Sequence, residues 1–309
     1  MAKFLITGGA GFIGSNIVRK LVDLNENVTV VDDLSTGRKE NIEPFLNKIK
    51  FIKGDLANLK IAYKVTKNID YVIHQAAIPS VPRSVDNPLD TNKANITGTL
   101  NILIAARDNK VKRLVYASSS SIYGDQNPDQ AKVETMPAKP KTPYGLQKYT
   151  GETYCRLFYE LYGLETVSLR YFNVFGPNQD PTSEYAAVIP KFIKTILKDK
   201  TPIIYGDGNT SRDFTFVENN VQANILAATS KNGAGEILNI ATGQSISLLE
   251  LVEKINNLTG KHIKATHEAE RPGDIKHSLA NISKANDILS YQPQISFEEG
   301  LKQTIQFYK

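Results

Sequence analysis

The stretch Lys3-Phe4-Leu5-Ile6-Thr7-Gly8-Gly9-Ala10-Gly11-Phe12-Ile13-Gly14 constrains this chain more than any other. A short apolar run ends in glycines at positions 8, 11 and 14, and apolar residues at helical spacing follow (Ile13, Ile17, Val18, Leu21). Glycine lacks a Cβ, so the backbone turns tightly and a phosphate can come close to it. The helix behind the turn aims free N–H groups and its positive dipole end at the same spot. A glycine turn alone would pass for an ordinary βα connection. Here a strand precedes it, a helix follows, and a second strand, Val28–Val31, ends in Asp32. That carboxylate lies about 20 residues on, where a dinucleotide's adenosine ribose hydroxyls are gripped.

The chain of 309 residues can form one large domain or two unequal ones. Its net charge of +5 is spread over interspersed acids and bases, which leaves no basic block for nucleic acid or a membrane surface. No apolar stretch approaches membrane-spanning length. The single cysteine, Cys155, allows no internal disulfide and fits a reducing, cytoplasmic setting. The N-terminal apolar run breaks at Thr7-Gly8, unlike a signal peptide. His74, His262, His267 and His277 lack ligand-like spacing, so no metal site is expected.

Strands and helices alternate through the first half. Strands are expected at Phe4–Thr7, Val28–Asp32, Ile49–Lys53, Tyr71–His74, Arg113–Ser118 and Glu165–Arg170. Asn87-Pro88 opens a long helix to about Asn109, and Thr142-Pro143 opens another to about Tyr162. This pattern predicts an α/β fold, a Rossmann-type doubly wound parallel sheet with ligands beyond the carboxyl ends of its strands. The rhythm changes after Asn173. Helix Val188–Asp199, strand Ile203–Tyr205, loop Gly206–Asp213, helix Val217–Thr229, strand Ile237–Ile240 and helix Leu248–Leu258 read as a smaller C-terminal α/β substrate domain, although Val217–Ile240 could return to the main sheet. The division expected is residues 1–170 plus about 215–241 for the cofactor, and about 171–214 with 242–309 for the substrate.

Tyr144 and Lys148 are four apart at the start of a helix and share one face. A tyrosine titrates near ~10 and is a poor base at neutral pH, but an adjacent ammonium favours its phenolate. Alone, the pair would pass for an exposed tyrosine and a solvated lysine. The run Ser118-Ser119-Ser120-Ser121 ends the fifth strand, where a serine can hold a sugar hydroxyl and relay its proton.

These features join others in an ordered set: Asp55-Leu56, Gln75-Ala76-Ala77, Ile122-Tyr123-Gly124, Arg170-Tyr171-Phe172-Asn173-Val174-Phe175-Gly176-Pro177, Ser211-Arg212-Asp213-Phe214 and Arg271-Pro272-Gly273-Asp274. The set covers essentially the full chain and resembles the UDP-sugar 4-epimerases of the extended short-chain dehydrogenase/reductase family. The resemblance implies NAD as cofactor. Gly8, Gly11, Phe12, Ile13 and Gly14 would meet its pyrophosphate; Asp32 would hold the ribose, with Asp33, Ser35 and Gly37 nearby; Asp55 and Leu56 would flank the adenine. Gln75, Ala76, Ala77, Asn95 and Ser118 would line the cofactor, and Tyr171 and Phe172 would sit near the nicotinamide. Ser119 matches the family's proton relay, Tyr144 its base and Lys148 the grip on the nicotinamide ribose. Ser120, Ser121, Ser80, Arg83, Ala187, Val188, Tyr205, Asp274 and Ser278 would meet the sugar nucleotide, Asn173 its phosphate, and Arg212 and Arg271 its diphosphate. The implied reaction oxidises C4 of a UDP-hexose transiently and returns the hydride to the other face.

Sister 4,6-dehydratases and decarboxylases place a carboxylate after the relay residue; here Ser120 and Ser121 stand there, so epimerisation is the expected outcome. Relatives restricted to UDP-glucose and UDP-galactose carry a bulky tyrosine four positions after Asp274. Ser278 leaves room for an N-acetyl group, and Ser80–Ser84 and Ala186–Pro190 also resemble the subgroup preferring UDP-GlcNAc and UDP-GalNAc. The alternatives are a UDP-glucose/UDP-galactose 4-epimerase, a sugar-nucleotide dehydratase or reductase, and a non-catalytic NAD-binding sensor. Leu157, Phe158 and Leu161 with Leu100, Leu103 and Ile104 exceed what one core face needs, and the resemblance implies a homodimer through a four-helix bundle. Cys155 is expected to be a small buried side chain.

Overall fold

The structure, a computed structural model, describes residues 1–126, 130–181, 187–270 and 277–309. Its centre is a parallel sheet of seven strands: β1 (Lys3–Thr7), β2 (Asn27–Asp32), β3 (Ile49–Lys53), β4 (Tyr71–His74), β5 (Arg113–Ser119), β6 (Glu165–Tyr171) and β7 (Ile237–Ile240), in the order β7-β6-β5-β4-β1-β2-β3. The order runs outward in both directions from β1, the doubly wound topology expected of alternating strands and helices. All seven residues of β5 are buried, as a strand covered on both faces requires.

One face carries α1 (Phe12–Asp23) and α8 (Val217–Thr229); Ile17, Val18 and Leu21 pack with Ala223, Ala227 and the inward residues of β1 and β6. The other carries α2 (Leu59–Thr66), α5 (Gly98–Asp108) and α6 (Pro143–Tyr162), where Ile102, Leu103, Cys155 and Phe158 meet Leu5, Val72 and Leu114. Thr142 caps α6 by accepting the Gly145 N–H at 3.2 Å, and Gly163, at φ 69°, ends it in the left-handed region.

Three elements depart from the sequence reading. Ser80 caps a short helix, α3 (Val81–Asp86), with Pro82 in its first turn. The long helix expected from Asn87 is α4 (Pro88–Asn92) and α5 joined by a π-helical turn over Lys93–Thr97. That extra residue per turn points Asn95 inward. The helix expected to reach Asp199, α7 (Val188–Leu197), stops earlier because Asp199 takes φ 55°.

A third apolar core lies beyond the sheet. Ile189, Phe192, Ile193 and Ile196 of α7 pack with Leu251 and Ile255 of α9 (Leu248–Thr259) and with Phe297, Leu301 and Ile305 of α10 (Phe297–Tyr308). Beside it a small sheet joins the strands Ile246–Ser247, Ser211–Arg212 and His277–Ser278.

Candidate active site

The parallel strands bring Thr7, Asp32, His74, Ser119 and Tyr171 to one edge of the sheet. The glycine turn crosses that edge. Gly8 takes φ +65°, and a Cβ on Gly14 would stand 2.2 Å from the Gly8 carbonyl oxygen. Gly11 begins α1 without a side-chain cap, so the N–H groups of its first turn stay available to an anion. An N-terminus without a capping side chain fits a pyrophosphate.

Asp32 closes the next strand. Its carboxylate accepts the Ala10 N–H at 2.9 Å and the Leu34 N–H at 2.8 Å. Burial holds it above the ordinary carboxylate value against those two bonds. Gly37 is required opposite it: a Cβ there would lie 2.8 Å from either Asp32 oxygen. Asp33 turns outward and accepts both the N–H and the hydroxyl of Ser35. Asp55 is exposed, ion-paired to Lys93 at 3.5 Å, while Leu56 beside it is buried.

Beyond β4, Gln75 Nε2 donates to Tyr171 Oη at 2.9 Å and to Asn224 Oδ1 at 3.0 Å. Tyr171 therefore buries its ring under the sheet and ties its hydroxyl to α8, and Phe172 is fully buried against Tyr123. Ala76 and Ala77 are half-buried. Asn95 Oδ1 accepts the Ile78 N–H at 2.8 Å, and its Nδ2 reaches Gln147 of α6 at 2.8 Å, so one buried amide fixes the loop against two helices. His74 is fully enclosed. Thr99 Oγ1 donates to the Asn95 carbonyl and so accepts from His74 Nε2; Thr7 Oγ1 accepts the Ala76 N–H and donates to Nδ1. Burial, with the Lys148 charge, pushes this imidazole down to about 3.

Ser119 and Ser121 share a hydroxyl hydrogen bond of 3.0 Å, and the Ser119 hydroxyl acts on the Tyr144 phenol to favour its ionised form. Ser120 and Ser121 are half-buried. Ser118 faces the other way and donates to Glu152 at 2.8 Å. Glu152 and Arg170 form a buried two-point ion pair, at 2.6 and 3.0 Å. Glu152 follows Lys148 by one helical turn, a spacing that placed it on the same face in the sequence. Tyr144 receives a prop the sequence reading missed, its N–H donating to Ser84 Oγ of α3 at 3.0 Å. Ser80 and Arg83 stand on that same short helix, both half-buried.

The electrostatics differ from the sequence expectation. Burial pushes Tyr144 up to about 12, with the Ser119 hydroxyl opposing. The Lys148 ammonium does not reach the phenol; it donates to the Ala117 carbonyl at 2.7 Å, 5.9 Å from the Tyr144 ring centre, and burial pushes it down to about 8. Desolvation outweighs an ammonium held at that distance.

On the substrate side, Asn173 takes φ 32° and donates to the Asp213 carbonyl at 3.2 Å. Asp213, buried, accepts the Thr242 N–H and hydroxyl, the Gly243 N–H and the Ala280 N–H, joining three segments. Arg212 pairs in register with Ser278, which is 5% exposed. Ala187 stands at the N-cap of α7, Val188 packs on the third core, and Tyr205 ends the strand Ile203–Tyr205. Arg271 and Asp274, and Ala186 of the segment before α7, lie outside the described residues.

The family model described as NAD dependent epimerase/dehydratase matches residues 4–241. A Methanocaldococcus jannaschii protein described as a putative UDP-glucose 4-epimerase is 42% identical, over 99% of this chain and 98% of its own. The structure of UDP-N-acetylglucosamine 4-epimerase from Methanobrevibacter ruminantium M1, in complex with UDP-N-acetylmuramic acid, superposes with TM-score 0.94 at 45% identity, covering 99% of this chain and 98% of that one. Thermotoga maritima UDP-glucose 4-epimerase with UDP-glucose gives TM-score 0.94 at 35% identity, with the same coverage. The chain belongs to the NAD dependent epimerase/dehydratase family, and its full-length similarity is to that family's UDP-sugar 4-epimerases.

Proposed function

We propose that this UDP-sugar 4-epimerase acts preferentially on UDP-GlcNAc and UDP-GalNAc and also accepts plain UDP-hexoses. The observation that carries the preference is the pairing of Ser278 with Arg212: a small, buried side chain stands beside the cation assigned to the diphosphate. Similarity to a UDP-N-acetylglucosamine 4-epimerase supports the same reading.

In this reading Tyr144, as its phenolate in the loaded enzyme, takes the proton from the sugar's 4-hydroxyl, directly or through Ser119, and returns it after the ring has turned over. NAD, when bound, supplies the hydride acceptor and donor. The glycine turn and the first turn of α1 bind its pyrophosphate, Asp32 its adenosine ribose and Lys148 its nicotinamide ribose. Asn173, Arg212 and Arg271 hold the nucleotide diphosphate while the hexose reorients. Ser120 and Ser121 offer no carboxyl proton for elimination, which disfavours a dehydratase.

The third apolar core supports dividing the chain into an NAD part (1–170 with about 215–241) and a UDP-sugar part (about 171–214 and 242–309). A homodimer through α5 and α6 is part of the proposal, with one revision. Leu103 and Phe158 are spent on the internal core, whereas Leu146, Tyr149 and Leu161 of α6 are exposed and suit a partner helix. A cytoplasmic setting fits the lone buried thiol of Cys155.

The test is a proton NMR time course of the purified protein with UDP-GlcNAc or UDP-glucose and no added cofactor. The C4 epimer is expected from both, faster from the acetylated sugar. A 4-keto-6-deoxy product would make the protein a dehydratase, and faster conversion of UDP-glucose would reverse the preference.

A further inference from the structure

Lys132 belongs to no sequence motif, yet the tertiary structure buries it to 3% exposure. Among the described residues its ammonium has no hydrogen-bond or ion-pair partner. Its main chain is held firmly. The N–H donates to the Leu279 carbonyl at 2.8 Å, and its carbonyl accepts the Asn281 N–H and Asn239 Nδ2, both at 2.9 Å.

Its neighbours show where the side chain belongs. Lys132 bridges in parallel to Ala280, and two residues earlier Ser278 pairs with Arg212. Registered partners share a face, and alternate residues of a strand return to it. Lys132, Ser278 and Arg212 therefore stand on one face of the small sheet. The Arg212 charge adds to burial in holding Lys132 below the ordinary lysine value, so the two cations feel each other. The side chain is covered along its length, and an ammonium held beside a second cation gains from an anionic oxygen between them.

We propose that Lys132 is a further substrate ligand, its ammonium binding an anionic oxygen of the nucleotide sugar beside Arg212. The proposal rests on the UDP-sugar reading above. Two sources carry that oxygen: the diphosphate, common to every UDP-sugar, and a carboxylate on the hexose.

Lys132→Met keeps the length and apolar packing of the side chain and removes its charge. Calorimetric affinities of the purified holoenzyme for UDP, UDP-GlcNAc and UDP-glucuronate, with melting temperature and bound NAD as controls, test the assignment. The variant is expected to retain NAD, to melt no lower than the native protein because a charge without a partner among the described residues is gone, and to bind about 10-fold or more weakly. Equal weakening for all three ligands assigns the diphosphate oxygen; weakening confined to UDP-glucuronate assigns a hexose carboxylate. Unchanged affinity for all three overturns the proposal, as does a lower melting temperature with unchanged affinity, which marks a purely structural lysine. If the native protein binds none of the three, the UDP-sugar reading itself fails. Lys132→Gln provides a second neutral variant should the methionine form not fold.

Discussion

Lys148 Nζ donates to the carbonyl oxygen of Ala117 at 2.7 Å. The bond anchors the ammonium on the end of β5, one residue before Ser118 and two before Ser119. The bond ties the helix that carries Tyr144 and Lys148 to the strand that ends in Ser119. The protein alone leaves Tyr144 protonated, since burial has pushed it up to about 12.

Tyr144→Phe removes only the phenol oxygen. Turnover is expected to fall about 10²- to 10⁴-fold, the usual worth of a positioned acid–base group, with bound NAD retained. Steady-state rates and the absorbance of released cofactor check this; near-native turnover would show that another group moves the proton.

Ser84 accepts the Tyr144 N–H and donates to the Val81 carbonyl at 2.7 Å. Ser84→Ala leaves the first turn of α6 without that acceptor, at about 1–3 kcal/mol. Misplacing Tyr144 is expected to lower kcat about 10-fold with little change in KM. A melting curve and a kcat–KM pair measure it, and an unaltered kcat would confine Ser84 to stability.

His74 is held neutral, its folded value of about 3 lying below the ordinary histidine value of about 6.5. The unfolded chain takes up a proton that the folded protein refuses. The stability contribution is therefore complete above about 6.5 and is lost as pH falls toward 3, at about 1.4 kcal/mol per pH unit. Urea unfolding at pH 7 and pH 5 is expected to show a smaller drop in His74→Gln than in the native protein. Identical drops would mean that His74 is not the group responsible.

Glu152 is 1% exposed in its side chain and answers both Arg170 and Ser118. Glu152→Gln leaves the Arg170 charge buried and is expected to cost about 3–5 kcal/mol in chemical denaturation. The double change Glu152→Leu with Arg170→Met should recover much of that. If it recovers nothing, the pair contributes more than mutual neutralisation.

Ser278→Tyr fills the space beside Arg212. Conversion of UDP-GlcNAc is expected to drop at least about 10-fold more than that of UDP-glucose, since a crowded acyl group loses both contact and room. Competition assays with both sugars measure the ratio, and equal losses would detach Ser278 from substrate choice.

Local pattern alone determined much of this protein. Gly8 and Gly14 prescribe the turn because a Cβ at either would run into neighbouring backbone. Thr142-Pro143 prescribes the start of α6, and the alternating strands prescribe a parallel sheet with its polar residues at one edge. These signals are short-range: steric freedom, capping and periodicity lie within a few residues of one another. The remainder was decided by contacts between distant segments. Asn95 turns inward through a π turn that no periodicity announces, and Ser84 meets Tyr144 across 60 residues. Asp213 joins loops from three parts of the chain, and a bridge to Ala280 brings Lys132 onto the face that carries Ser278 and Arg212. The reversal in Tyr144 has the same origin. Spacing places Lys148 on the same helical face, but only the packed structure fixes how deeply the phenol is desolvated and which oxygen the ammonium answers.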